Sequence, residues 1–231
     1  DDEQLILDFI RENFSQSHVF LKRPELLYFQ HRPNEDSKEL SFVLAMEGTD
    51  FVGLLGFIST KFYSGELNSK CLSLAIWKVI ESDENYGLGV SMLRYLIKVE
   101  QPALVLAVGL SDMVIPIYRA LRFKTGYLSR SALFSRNAPT NGVAKNIPVR
   151  ECHADGLDGH QDYNLVDISS GILPEGLSKA DLSSVFQSYP QKDWSYIRKR
   201  YVDCPFYDYL IFLATRGNQV EAILVTHLAF C

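Results

Sequence analysis

Gly87 and Gly89 stand two residues apart, after the apolar run Cys71–Ile80 and before a stretch with helical periodicity. A pyrophosphate needs several converging N–H donors and no side chain in the way. Glycine lets the backbone approach closely, and the first turn of a helix adds free N–H groups and a positive dipole end. From Glu84 to Arg136 the chain carries seven basic residues (Arg94, Lys98, Arg119, Arg122, Lys124, Arg130, Arg136) against three acidic ones (Glu84, Glu100, Asp112). That local excess, inside a chain of formal charge −5, suits an anionic ligand.

Other chemistry-bearing residues are less organised. Cys71, Cys152, Cys204 and Cys231 are scattered with no CxxC pair, which points to a reducing compartment and to Cys71 as a small core residue. Cys152-His153 and His160 fit no usual zinc spacing, so no metal is expected. His18, His31 and His227 are isolated and read as structural. The aromatic group Trp194, Tyr196, Tyr201, Phe206, Tyr207 and Tyr209 mixes helix and strand spacing and reads as core or interface.

The elements that must position the turn follow from periodicity. Leu5, Ile6, Phe9, Ile10 and Phe14 mark a first helix, and Pro24 opens a second over Glu25–His31. Leu40–Met46 and Phe51–Ser59 are strand-like, with Glu47-Gly48-Thr49-Asp50 as the hairpin turn. Cys71–Ile80 is a third strand. Leu88–Val99 is an amphipathic helix with Val90, Leu93 and Ile97 on one stripe. Ala103–Gly109 reads as a strand buried on both faces, Asp112 as the cap of a helix Met113–Leu121, and Thr125–Phe134 as a final strand. The expected class is α/β, a mixed sheet flanked by helices.

Beyond residue 136 the composition changes. Residues 137–175 are rich in turn formers and read as a connector. Shifting the sequence by 169 places then lays Ser41–Phe57 on Leu210–Thr226, where Leu44, Ala45, Gly48 and Leu55 match Leu213, Ala214, Gly217 and Leu224. Residues 176–231 read as the opening part of a second copy of the first domain. Its unpaired strand edges call for packing onto residues 1–136 or onto another chain, a homodimer being one solution.

Together these pieces resemble the GCN5-related N-acetyltransferase family over roughly residues 1–136. Val79–Gly89 looks like the family's strand and acetyl-CoA loop, which ends R/Q-x-x-G-x-G/A. Ile117–Phe123 looks like its helix ending F-Y-x-x-x-G-F. The layout is also similar to two-copy members linked to bacterial surface-polysaccharide biosynthesis, with Trp194 and Arg200-Tyr201 opening the second copy. The resemblance implies that amides of Glu84, Asn85, Tyr86, Gly87, Leu88, Gly89 and Val90 hold the pyrophosphate of acetyl-CoA. It implies that the backbone of Trp77–Val79 pairs with the pantetheine arm, that the Val79 N–H polarises the thioester carbonyl, and that Tyr118 is the general acid. A carboxylate must take the amine's proton, and Glu81 and Asp112 are the candidates. Glu84, Ser111 and Arg122 depart from the family's Gln or Arg, Asn and Gly.

The expected activity is transfer of acetyl from acetyl-CoA to a primary amine on a small molecule, such as an amino-sugar nucleotide, in the cytoplasm. A catalytically degenerate acyl-CoA-binding sensor or scaffold is the alternative. A third reading, a nucleotide-binding module, lacks the acidic ribose partner expected about 20 residues on. The net negative charge argues against nucleic-acid binding, and no apolar run approaches the roughly 18 residues that would insert in a membrane. Asp1-Asp2-Glu3 has the wrong charge for a secretory signal.

Overall fold

The computed structural model describes residues 2–34, 36–128, 163–186 and 190–227. Acidic residues at its start and Ile6, Leu7, Phe9 and Ile10 at helical spacing make Asp2–Asn13 the first helix, α1. A short helix α2 (Val19–Lys22), not anticipated from periodicity, leads into α3 (Pro24–His31), with Pro24 in its first turn. Strands β1 (Phe42–Glu47) and β2 (Asp50–Ser59) form a hairpin around the two-residue loop Gly48-Thr49, with Gly48 at φ +60°. Then come β3 (Cys71–Val79), α4 (Leu88–Glu100), β4 (Leu104–Ala107) and α5 (Ile115–Ala120).

The first sheet has the order β1-β2-β3-β4, antiparallel except for the parallel pair β3–β4. It is mixed and carries helices on both faces. Leu54 and Ile76 pack with α1, α2 and α3, while Leu55, Phe57, Leu72 and Leu74 pack with α4 and Tyr118 of α5. Leu74 and Ile76 lie two apart yet face opposite ways, and the register gives the reason. Gly56 pairs with Ile76 and Phe57 with Leu74, so Ala75 is an unpartnered bulge residue that reverses the alternation.

Several expectations change here. The buried stripe of α4 is Met92, Leu93 and Leu96, with Val90 and Ile97 only half-buried. Ala103–Gly109 is not a strand covered on both faces: β4 is four residues long and half-buried, at the edge of the four-stranded sheet. Asp112 does not cap α5. The helix starts at Ile115 with Pro116 in its first turn, and Val114 occupies the cap position without a side-chain bond. Of the expected strand Thr125–Phe134, residues 125–128 are not in a strand and 129–134 lie outside the described residues.

Helix α5 ends in a Schellman motif. The Arg122 N–H donates to the Arg119 carbonyl at 2.9 Å, and the Phe123 N–H reaches back to the Tyr118 carbonyl at 2.9 Å. The motif needs a left-handed residue after the cap, and Arg122 fills that place at φ +64°. A side chain in that conformation costs roughly 1–2 kcal/mol. Arg122→Gly is therefore expected to raise stability by about 1 kcal/mol, read as a melting temperature higher by roughly 2–4 °C.

The second sheet has the order β5-β6-β7, from β5 (Asn164–Asp167), β6 (Tyr209–Arg216) and β7 (Gln219–His227). Strand β5 comes from the stretch read as connector, so this sheet reaches back before residue 176. Ahead of β6 lie α6 (Lys179–Ser183), α7 (Trp194–Ile197) and a π-helical turn Arg198–Val202. Its inner face (Val166, Ile211, Leu213, Val220, Ile223, Val225) packs with Trp194, Tyr196 and Tyr63. The aromatic residues expected as core or interface thus divide: Trp194 and Tyr196 are buried, and Phe206 and Tyr207 pack against the α1–α3 core. Among the described residues, no helix is long and apolar enough to cross a membrane.

Candidate functional site

Strand β3 runs nine residues, but its parallel ladder with β4 covers only Cys71–Leu74 against Leu104–Ala107. The ladder stops at the residue before the Ala75 bulge. From Ile76 to Val79, β3 pairs with β2 and, among the described residues, with no strand on its other edge, and it leads directly into the glycine turn. Ala75 is exposed in mid-strand, and Val108, just past the end of β4, is 68% exposed. Beyond Leu74 the β4-facing edge of β3 therefore has no ladder partner among the described residues, and its backbone groups there are left for another partner. No sequence signal marked Ala75, because a bulge depends on the register of a partner strand.

The turn itself is hydrogen-bonded. Asn85 N–H donates to the Ser82 carbonyl (3.2 Å), Tyr86 N–H to Asp83 (3.4 Å) and Leu88 N–H to Asn85 (3.1 Å). The Asn85 side-chain amide donates to the Ile80 carbonyl at 3.0 Å, closing the turn onto the end of β3. Three of the seven amides expected to hold an anion are thus engaged within the turn. The other four, those of Glu84, Gly87, Gly89 and Val90, have no partner among the described residues, and the last three stand at the N-terminus of α4. Gly87 adopts φ +79° with open space where a Cβ would project, so its glycine serves the backbone path.

Gly89 has another reason for being small. A Cβ there would stand 3.1 Å from Cζ2 and 3.2 Å from Nε1 of Trp77, so the missing side chain makes room for the indole. Trp77 in turn meets Tyr118 edge-on, with ring centroids 5.9 Å apart, and Tyr118 meets Phe123 the same way at 5.3 Å. Trp77, Val79, Leu88 and Tyr118 therefore share one cluster beneath the turn. Tyr118 is only 4% exposed, and burial pushes its phenol up to about 12. It holds its proton throughout the neutral range.

Glu81, Asp83, Glu84 and Asp112 are exposed, and neither Glu81 nor Asp112 makes a hydrogen bond or ion pair within the described residues. Arg94 and Arg122 line a cleft of about 320 Å³ between α4 and the end of α5. Cys71 is buried in β3, where burial raises its thiol pKa. No group of three or more His, Cys, Asp or Glu suited to a metal occurs among the described residues; Cys152, His153 and His160 lie outside them.

No family model matches the chain, and no curated protein matches it. Among the solved structures similar to this chain, two cover 58% of it. One is an aminoglycoside acetyltransferase from an uncultured soil metagenomic sample, at 15% identity over 90% of that chain with a TM-score of 0.38. The other is a mutant protein from Bacillus halodurans, at 11% identity over 89% of that chain with a TM-score of 0.35. Likenesses this distant carry no argument about chemistry, which rests on the residues themselves.

Proposed function

We propose that this chain binds acetyl-CoA along the free edge of β3 and in the Gly87–Val90 turn, and that it transfers the acetyl group to a primary amine. The observation that carries the reading is the early end of the β3–β4 ladder at Leu74, beside the Ala75 bulge and one strand-length before the free amides. An extended pantetheine-like arm can add to such an edge as an extra strand would, and a pyrophosphate can meet the amides of Gly87, Gly89 and Val90. In the transfer, the amine nitrogen bonds to the thioester carbon, the C–S bond breaks, and the sulfur leaves as a thiolate that takes a proton. An N–H on the bulged edge, such as that of Val79, would stabilise charge on the carbonyl oxygen. Tyr118 would protonate the thiolate, and Glu81 or Asp112 would accept the amine's proton, directly or through water.

The acceptor in this reading is a small amine such as an amino-sugar nucleotide, and the enzyme is cytoplasmic. Residues 176–231 belong to it as a partial second copy of the acetyltransferase fold. Gly48 and Gly217 hold positive φ at equivalent places in two-residue hairpin loops, and the irregularity at Ala45/Met46 recurs at Ala214/Thr215, again 169 residues on. A second reading, a non-catalytic acyl-CoA binder, is favoured by the near-complete burial of Tyr118.

Thermal unfolding with acetyl-CoA, against a nucleotide control, tests both. Acetyl-CoA at about a hundredfold over its Kd should stabilise the chain by roughly 2.7 kcal/mol. Gly87→Val, which forces a β-branched residue into the left-handed region and fills the space above the amides, should abolish most of that shift. Absence of any shift with acetyl-CoA would remove both readings.

A further inference from the structure

A second cleft, of about 630 Å³, lies between α3 and the π-helical turn, where the two halves of the chain meet. Its aromatic walls are Tyr28, Phe29 and Tyr63, and its cations are Arg32, Arg198 and Lys199, with Asp203 the acid facing them. Arg198 and Asp203 form an exposed ion pair at 3.6 Å and largely cancel. Arg32 and Lys199 remain. The Arg32 guanidinium lies 4.1 Å over the Tyr28 ring, and its Nε is buried without a hydrogen-bond partner among the described residues. Lys199 is exposed and has no ion-pair partner among the described residues. Arg32 and Lys199 thus line one cleft, and the Arg32 Nε is a buried donor with no acceptor among the described residues.

The cleft is held in shape from both sides. The Ser64 hydroxyl donates to Asp193 Oδ2 at 2.6 Å, and Arg23 Nη1 donates to the Phe206 carbonyl at 3.2 Å, each bond linking the two halves. Arg200 hydrogen-bonds the Tyr63 hydroxyl and lies 4.8 Å over its ring, so this wall is fixed. Phe29 packs edge-on against Phe206 at 5.5 Å. The π-helical turn that supplies Arg198 and Lys199 is a rare conformation, found frequently at functional sites.

The cleft is remote from the glycine turn. Tyr63 follows Ser59, which pairs with Leu72 near the start of β3, whereas the turn follows Val79. Seven residues of strand put about 23 Å between those points. We propose that this cleft is a separate ligand site for a phosphate monoester of a flat ring, the ring against the half-buried Phe29 and the phosphate between Arg32 and Lys199.

Phenyl phosphate is the probe, titrated calorimetrically into the full chain, with inorganic phosphate and phenol for comparison. Phenyl phosphate is expected to bind at least tenfold more tightly than either, and Lys199→Glu or Arg32→Gln should weaken it at least tenfold. Lys199 is exposed, so its variant reports on the cleft without a folding defect. Saturating acetyl-CoA should leave the phenyl phosphate Kd unchanged. No phenyl phosphate binding, binding indifferent to both substitutions, equal binding of inorganic phosphate, or competition with acetyl-CoA would each overturn the assignment. Failure of acetyl-CoA to bind at all would count against the proposed transferase and leave this site standing.

Discussion

Tyr118→Phe is expected to lower kcat for acetyl transfer by about 10²–10⁴ while leaving the thermal shift with acetyl-CoA in place. The substitution removes one hydroxyl and little else. The ring stays between Trp77 and Phe123, whose edge-on contacts at 5.9 and 5.3 Å do not involve that oxygen. The Schellman bond from the Phe123 N–H to the Tyr118 carbonyl is backbone to backbone and survives. With its phenol raised to about 12 by burial, Tyr118 is fully protonated at neutral pH, as a general acid must be. The alkaline limb of the rate profile should accordingly not come from Tyr118 below about pH 10, two units under that value. Steady-state kinetics of both proteins, with binding measured in parallel, decide the matter. Unchanged turnover would leave Tyr118 as a packing residue and the chain closer to a binder than an enzyme.

What could be read from the sequence was what short-range chemistry fixes. The Glu47–Asp50 hairpin turn was legible because a two-residue loop requires positive φ, and Gly48 supplies it. Helix α4 was legible because apolar spacing and a preceding glycine mark its start. The side of α4 that is buried was less so: Val90 was expected in the stripe, but Met92 and Leu96 are the residues that reach the sheet. The decisive features of the site depend on contacts distant in sequence. Gly89 looked like a phosphate-approach glycine, yet its neighbour is Trp77, on a strand whose aim is set by the bulge at Ala75. No local pattern announces that bulge, nor the early end of the β3–β4 ladder. The cleft at the junction of the halves was hidden for the same reason, since Tyr28, Tyr63 and Lys199 are neighbours only after both halves have folded. The departure at Arg122 was visible in the sequence, but its meaning was not. Only the Schellman geometry explains why glycine suits that place.

Acidification is expected to destabilise the fold through His31, an isolated histidine with a larger energetic role than isolation suggests. His31 is fully buried, stacked on Phe42 at 4.4 Å and edge-on to Phe20 at 5.6 Å. Its Nδ1 lies 3.1 Å from the Phe57 carbonyl, an acceptor only, so Nδ1 carries the proton. Nε2 is buried with no partner among the described residues. Protonating it would place a charge and an unpaired donor among aromatic rings, and burial lowers its pKa to about 4, with the Arg200 charge adding slightly in the same direction. In the unfolded chain the same group titrates near 6.5. Above that value both states are neutral and the difference contributes nothing. As pH falls from about 6.5 to 4, the unfolded state takes up a proton that the folded state refuses, and stability declines. Below about 4 the loss is complete, at roughly 3 kcal/mol. Urea unfolding at pH 7 and at pH 4 should reveal that fall, and His31→Phe should remove most of it. The replacement keeps the aromatic packing, and the Phe57 carbonyl retains the Ser41 hydroxyl, which donates to it at 2.5 Å. An equal acid loss in the variant would assign the pH dependence to other groups.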